Sequence, residues 1–276
     1  MTVPIIVVGN ITVGGVGKTP LVIALVKRFQ EKGLRVGVVS RGYRSTLKNF
    51  PHLIEENDAA SVVGDEPLLI FKHTNAPVVI APNRMDAVNY LVEHHSCQLI
   101  ISDDGLQHYA MERAIEIAVI DGIRGLGNGL RLPAGPLREG KKRLNTVDFV
   151  VMNGQLRDGA YRMALNPGVI QSLNNKASFE HTKTVAAVAG IGHPQRFFNT
   201  LTELGIAYRP YVFPDHHRFV ADDLTMPEEC IIMTEKDAVK CVSFATASMY
   251  YLPVEAVLDD AFWHALFAHK QLEGFF

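Results

Sequence analysis

The sequence is short of cysteine, of long apolar runs and of excess positive charge, and each shortage removes a class of protein. Its three cysteines, Cys97, Cys230 and Cys241, stand apart without C-x-x-C spacing. They offer no disulfide framework and no zinc cluster, so a reducing cytoplasm is the expected compartment. No apolar stretch approaches the ~20 residues that span a bilayer, and no signal peptide precedes the first strand pattern. A formal net charge of -2 argues against a nucleic-acid binder that works through overall positive charge, so no nucleic-acid partner is expected. Internal repeats and low-complexity tracts are absent too. With 47% hydrophobic and 20% charged residues, the 276-residue chain fits one large or two smaller soluble α/β domains.

What is present is led by Gly14-Gly15-Val16-Gly17-Lys18-Thr19. It follows a strand pattern at 3–8 and enters a helical pattern at 20–26. In that setting backbone N–H groups wrap a triphosphate, a lysine neutralises phosphate charge and a hydroxyl ligates Mg²⁺. Thr12, Val13, Gly14, Gly15, Val16, Gly17, Lys18 and Thr19 are therefore the expected ATP-binding residues, with Lys18 also catalytic and Thr19 on the metal. One departure is plain: Thr12 stands where G-x-x-x-x-G-K-[ST] has its first glycine. The bland alternative is a glycine-rich turn without a ligand.

Further apolar runs at 35–40, 77–81, 98–102, 116–120 and 147–152 lack alternation, as strands covered on both faces do. Helical patterns at 65–73 and 84–95 lie between them. This order predicts an α/β, P-loop NTPase-like, mostly parallel doubly wound sheet, with ligands outside the carboxyl ends of its strands. A polar stretch at 154–182 reads as a connector. Beyond it, strands at 184–189, 207–213, 230–234 and 249–252, with helices at 194–204 and 259–270, predict a second, smaller α/β domain. The expected division is 1–182 for nucleotide binding and 183–276 for a lobe closing a cleft.

The run 99–102 ends in Asp103-Asp104, and a strand ending in aspartate is the usual metal-holding partner of a phosphate loop. Alone it would be a turn; beside Lys18 and Thr19 it marks Asp103 and Asp104 as Mg²⁺ ligands. His108 follows, as a contact to phosphate or acceptor or as a turn histidine. Gly64-Asp65-Glu66-Pro67 supports two accounts equally: Asp65 as a helix N-cap with Pro67 in the first turn, or Asp65 as a base for an acceptor hydroxyl. His216 and His217, adjacent and facing apart, read as exposed loop histidines. Arg138 to Arg143 holds four cations in six residues, a solvated loop by default and a contact for a phosphorylated or membrane-borne substrate otherwise. The preceding apolar, Gly/Pro-rich loop at 128–137 suits an amphiphilic ligand as well as core packing. Thr234 as N-cap, followed by first-turn acids, accounts for Thr234-Glu235-Lys236-Asp237-Ala238-Val239-Lys240 without catalysis.

Taken together, these stretches resemble one family, the tetraacyldisaccharide 4'-kinases that phosphorylate lipid A precursors in Gram-negative bacteria. The resemblance runs through 7–20, 38–43, 64–67, 103–108, 132–139, 190–198, 215–217 and 233–240, nearly the whole chain, and the family's threonine at the first loop position explains Thr12. It implies transfer of the ATP γ-phosphoryl group to the 4'-hydroxyl of an acylated glucosamine disaccharide 1-phosphate, giving lipid IVA. An Asp/His pair activates that hydroxyl in the family, and the motifs place it at Asp65 and His216. Arg84, Arg138 and Glu139 match positions that line the cleft. The resemblance also implies a peripheral protein on the cytoplasmic face of the inner membrane. Family members usually carry an apolar helix ahead of the first strand; this sequence starts at Met1-Thr2-Val3-Pro4, so weaker membrane affinity is expected.

The alternatives are a P-loop GTPase or metallochaperone, a dinucleotide oxidoreductase and a nucleotide-dependent scaffold. An Asn-Lys-x-Asp base-reading motif is missing. Lys18-Thr19, with Arg41 in place of an acid after the second strand, argues against the oxidoreductase.

Overall fold

Runs of apolar residues become strands wherever helices can cover both faces, and the chain does this twice. The computed structural model describes residues 3–43, 45–156, 158–174, 178–179 and 184–275. In the first body, β1 (Ile5–Gly9) leads through the glycine-rich turn into α1 (Lys18–Glu31) and β2 (Val36–Ser40). There follow β3 (His52–Leu53), α2 (Ala60–Val63), α3 (Asp65–Thr74), β4 (Val78–Ile80) and α4 (Arg84–His95). Next come β5 (Leu99–Ser102), β6 (Ile115–Asp121), β7 (Phe149–Asn153) and β8 (Tyr161–Pro167). The second body holds β9 (Gln171–Ser172), β10 (Val185–Ala189), α5 (Pro194–Glu203) and β11 (Tyr208–Val212). It is completed by β12 (Ile231–Thr234), α6 (Glu235–Cys241) and β13 (Met249–Leu252), after which β14 (Val254–Leu258) and α7 (Asp260–Phe267) return to the first.

The large sheet has nine strands in the order β14-β8-β7-β6-β1-β5-β2-β4-β3. Its interior pairings are parallel, and only the edge strands β3 and β14 run antiparallel. Side chains alternate across it. Ile6 and Val8 join a core with Leu21, Leu25 and Phe29 of α1 and Phe262 of α7. Ile5 and Val7 face the other way, against Ala87, Val88 and Leu91 of α4. Leu21, Leu25 and Phe29 are four apart, so one stripe of α1 is buried. Pro20 falls in the first turn of α1, where its missing N–H costs nothing. The smaller sheet has five strands ordered β11-β10-β12-β13-β9, with α5 on one face and α6 on the other.

The doubly wound, P-loop NTPase-like sheet follows expectation. The division of the chain does not. The stretch read as a connector contains β8, paired with β7, and the chain from 254 to 267 does not belong to the small lobe, because β14 and α7 pack on the large sheet. Both β8 and β14 alternate (Tyr161, Met163, Leu165; Val254, Ala256, Leu258), so neither shows the continuous run that exposes a covered strand. The expected boundary at 182/183 lies outside the described residues, as do Met1 and Thr2 of the sequence start.

Two polar seams join the bodies. Along α3 and α6, Glu235 Oε1 lies 2.7 Å from His73 Nε2, and Lys236 Nζ donates to Glu66 Oε1 at 2.8 Å. At the strand tips, Arg196 of α5 pairs with the buried Asp121 carboxylate at 2.9 Å.

Candidate active site

The glycine-rich turn is built to come close to a ligand. Gly14 and Gly17 have φ of 91° and 96°, the left-handed region where a side chain is strained. A Cβ on Gly17 would stand 2.8 Å from Asn153 Nδ2, which donates to the Val16 carbonyl at 3.0 Å. Arg124 donates to the Val13 carbonyl, also at 3.0 Å, so the β6 and β7 tips grip the loop from one side. Gly192 of the second body closes the other side: a Cβ there would lie 3.2 Å from the Gly15 nitrogen. The start of the expected cradle needs correcting. Thr12 is buried, and the Val13 amide donates to the Pro136 carbonyl at 2.9 Å. These two residues anchor the 131–138 loop, so the Val13 amide is already engaged where the cradle was expected to use it.

Lys18 opens α1 with Thr19 beside it. Its ammonium donates to Asn10 Oδ1 at 3.3 Å and lies 3.5 Å from Asp104 Oδ1. Asn10 is itself fixed, donating to the Thr12 carbonyl at 2.6 Å. Asp103 and Asp104 follow β5, as the sequence indicates, and differ sharply. Asp104 pairs with Arg138 at 2.9 Å; burial would raise its pKa, but Lys18 and Arg138 outweigh it and hold the carboxyl low. Asp103 is 1% exposed, and its Oδ1 has no hydrogen-bond partner among the described residues. Burial, reinforced by the Glu66 and Asp104 carboxylates, pushes it well above the usual carboxylate range. A buried carboxylate oxygen without a partner, within the field of the Lys18 ammonium and next to Asp104, fits a cation of the Mg²⁺ class. Among the described residues no cluster of three or more His, Cys, Asp or Glu could hold a metal by itself.

Arg84 departs from expectation. It is 4% exposed and donates to the carbonyls of Asp103 and Asp104 at 3.0 and 2.8 Å. A buried guanidinium with backbone partners shapes the turn that aims the two aspartates, rather than lining open cleft. His108 caps the same turn: its amide bonds the Gly105 carbonyl at 2.9 Å, and its own carbonyl accepts from Arg113. Burial and then the Arg84, Arg113 and Arg41 charges lower its pKa. Glu139 accepts from Gln107 at 2.6 Å and from the Tyr109 hydroxyl, so it is ordered next to Arg138.

Across the cleft, the structure brings Asp65 and His216 together from opposite bodies. Gly64, with φ of 98°, is the N-cap of α3, so Asp65 is its first helical residue rather than the cap. His216 sits beyond β11 at φ 59°, a conformation few non-glycine residues adopt, and its amide holds the Gly190 carbonyl at 3.2 Å. Its Nδ1 lies 3.0 Å from Asp65 Oδ2, so it is not the exposed loop histidine that its neighbours in sequence suggest. Burial would raise the Asp65 carboxyl, but the His216 hydrogen bond and the Lys236 ammonium bring it from 3.8 down to about 2.

The sign of this shift fixes a stability effect. Because the folded carboxyl titrates lower, its contribution is full above 3.8 and is lost as pH falls towards about 2. The amount is about 2 kcal/mol. Asp65→Asn is expected to flatten the fall in urea midpoint across that window; a slope equal to wild type would remove Asp65 as its source.

Sequence reasoning missed Asn10, Arg124, Asn153 and Lys236, all of which touch the loop or the pair. Their shared signal is position: each follows or ends a strand at the carboxyl edge of a parallel sheet, where ligands gather.

The chain was compared with known proteins. A family model described as LpxK, tetraacyldisaccharide-1-P 4'-kinase, matches residues 1–271. The tetraacyldisaccharide 4'-kinase of Legionella pneumophila (strain Corby) is 57% identical over 277 residues, covering 99% of this chain and 86% of that protein. That of Hahella chejuensis is 49% identical over 267 residues, covering 94% and 79%. A crystal structure of the "apo" form of LpxK from Aquifex aeolicus in complex with ATP superposes with a TM-score of 0.80 at 26% identity. It covers 99% of this chain and 89% of that one. With the loop, the aspartate pair and the Asp65–His216 contact in the order the motifs require, the chain belongs to the tetraacyldisaccharide-1-P 4'-kinase family.

Proposed function

We propose that the chain transfers the γ-phosphoryl group of ATP to the 4'-hydroxyl of a tetraacylated glucosamine disaccharide 1-phosphate, giving lipid IVA. The observation that carries this is the Asp65–His216 contact at 3.0 Å, a proton-handling pair from two bodies facing the Lys18 loop. Phosphoryl transfer depends mainly on positioning and charge, with the hydroxyl losing its proton late. A carboxylate held at about 2 is a weak base but a good anchor for such a hydroxyl. The acceptor oxygen attacks phosphorus, its proton passes to Asp65, and the bond to the β-phosphate oxygen breaks with its electron pair going to ADP. Lys18 neutralises the charge that builds on the phosphates, and the amides from Gly14 to Thr19 hold them.

Thr19 with Asp103 and Asp104 would hold Mg²⁺. When bound, the ion offsets negative charge shared by the β- and γ-phosphates. Arg138 and Glu139, ordered at the cleft, are proposed to contact the acceptor. The acceptor is a lipid, so a peripheral position on the cytoplasmic face of the inner membrane is proposed. No helix among the described residues is long and apolar enough to cross a membrane. Exposed Leu130 and Leu132 flank Arg131 in one loop, a mixture suited to an anionic bilayer surface. The family assignment sets aside the GTPase or metallochaperone alternative.

The test is ATP consumption in detergent with and without the tetraacyldisaccharide 1-phosphate, with the product located by phosphorus–proton NMR. Turnover is expected to require the acceptor and to place phosphate on the 4'-oxygen. Equal consumption without acceptor, or phosphate elsewhere on the sugar, would overturn the assignment.

A further inference from the structure

We infer that Lys236 is a positioning residue for the transfer step: its ammonium, delivered by α6 of the second body, meets the far ring nitrogen of His216 and, together with the Asp65 carboxylate, holds the ring tautomer that points an N–H at Asp65. The inference rests on the Asp65–His216 pair proposed above. Lys236 Nζ donates to Glu66 Oε1 at 2.8 Å and lies 3.8 Å from Asp65 Oδ2 and 3.9 Å from Asp215 Oδ1. It also lies 3.5 Å from His216 Nε2, the ring nitrogen remote from Asp65. An ammonium has three donors and no acceptor. The Asp215 carboxylate, 3.9 Å from the same Nε2, would accept a proton there; the nearer ammonium makes that nitrogen present its lone pair instead, and the ring proton stays on Nδ1, 3.0 Å from the acceptor-only Asp65 carboxylate. Tautomer and orientation of a catalytic imidazole are commonly set by what its second nitrogen meets.

The surroundings make this arrangement specific. Lys236 faces two acids of α3, Asp65 and Glu66, and one acid of the His216 loop, Asp215. Its own helix adds Glu235, turned to His73, and Lys240, turned to Asp237. The Tyr43 ring stands edge-on to His216, with centroids 5.6 Å apart. Burial would lower the ammonium's pKa, yet Glu66, Asp65 and Asp215 together raise it, so the charge is retained. One cation thus ties both members of the pair across the cleft, and it reaches them only when the second body lies against α3.

The experiment compares wild type, Lys236→Met, Lys236→Arg and Asp65→Asn for acceptor-dependent turnover, with the His216 ring nitrogens followed by ¹⁵N NMR. Lys236→Met is expected to lower kcat about 100-fold, with the KM for ATP within about twofold of wild type. In the same variant the His216 signals gain an Nε2–H component, because the Asp215 carboxylate near Nε2 no longer competes with a cation there. Lys236→Arg, which keeps charge and donors, restores about a tenth or more of kcat together with the Nδ1–H pattern. Wild-type kcat, or an unchanged tautomer, in Lys236→Met would overturn the inference. If methionine prevents folding, Lys236→Gln is read by the same two criteria. Wild-type turnover in Asp65→Asn would instead sink the base assignment, an outcome distinct from failure at Lys236.

Discussion

Asp65→Asn is expected to reduce acceptor-dependent kcat about 1000-fold while the KM for ATP stays within about threefold. The amide is nearly isosteric, so the contact from the Glu66 amide to Oδ1, 3.2 Å in wild type, can persist. What disappears is the negative charge and the oxygen that takes the hydroxyl proton. An Asn also puts an NH2 donor in place of one carboxylate oxygen, in a region already supplied with donors by the His216 N–H and the Lys236 ammonium, so only one weaker, uncharged acceptor remains. The phosphate loop lies on a separate seam, gripped by Asn153, Arg124 and Gly192, and does not depend on Asp65. Initial-rate kinetics with both substrates varied makes the check. A matched rise in the KM for ATP would point to a nucleotide-binding role instead.

The largest expected loss of stability comes from Asp237→Ala. This carboxylate is fully buried and accepts from Gly190 N at 2.8 Å, Thr234 Oγ1 at 2.6 Å and Lys240 Nζ at 2.6 Å. Removing it strands a mostly buried ammonium and an amide, at a cost of about 3–5 kcal/mol. The melting temperature is expected to fall by roughly 7–10 °C. Lys240→Met in the same background should recover about 1 kcal/mol or more, because the abandoned charge goes with it. The effect also reaches chemistry: Gly190 is the residue whose carbonyl holds the His216 amide. Calorimetry and urea titration of the single and double variants decide the matter; a cost below about 1 kcal/mol would show that the buried acid is not the clasp described.

Much of the first body was legible because its code is local. Continuous apolar runs named the covered strands, and Gly14 to Thr19 named the phosphate loop from six adjacent residues. Helix α4 is found at Arg84–His95, where its pattern placed it. The misreadings have physical causes. Strands β8 and β14 alternate and mix polar with apolar residues, so 161–167 read as part of a connector and 254–258 was not picked out as a strand. The resemblance placed Arg84 among the residues lining the cleft, whereas backbone carbonyls satisfy it in the interior. Read from its own neighbours His216 looked like a loop histidine, because its partner Asp65 stands 151 residues earlier; only the family resemblance paired the two. Lys236 was hidden by sufficiency: a cap at Thr234 and first-turn acids already explain its helix. Val13 shows the opposite error, a motif position whose amide the neighbouring loop had already taken.

The ladder between β8 and β14 runs from Val254 opposite Pro167 to Leu258 opposite Met163. Everything in the smaller sheet is threaded between those two strands, so the lobe hangs on the larger body like a bag on a drawstring. A cut after Pro167, a short turn and a splice to Val254 would keep all nine strands in their original succession, together with Lys18, Thr19 and Asp103. What such an excision discards is His216, Lys236 and the cover over Gly15. The glycine-rich loop and Asp65 stay with the larger body, while His216 and Lys236, which meet Asp65 from the other side, are encoded in the inserted segment, so one stretch of the gene can vary the partners of that carboxylate without touching the loop.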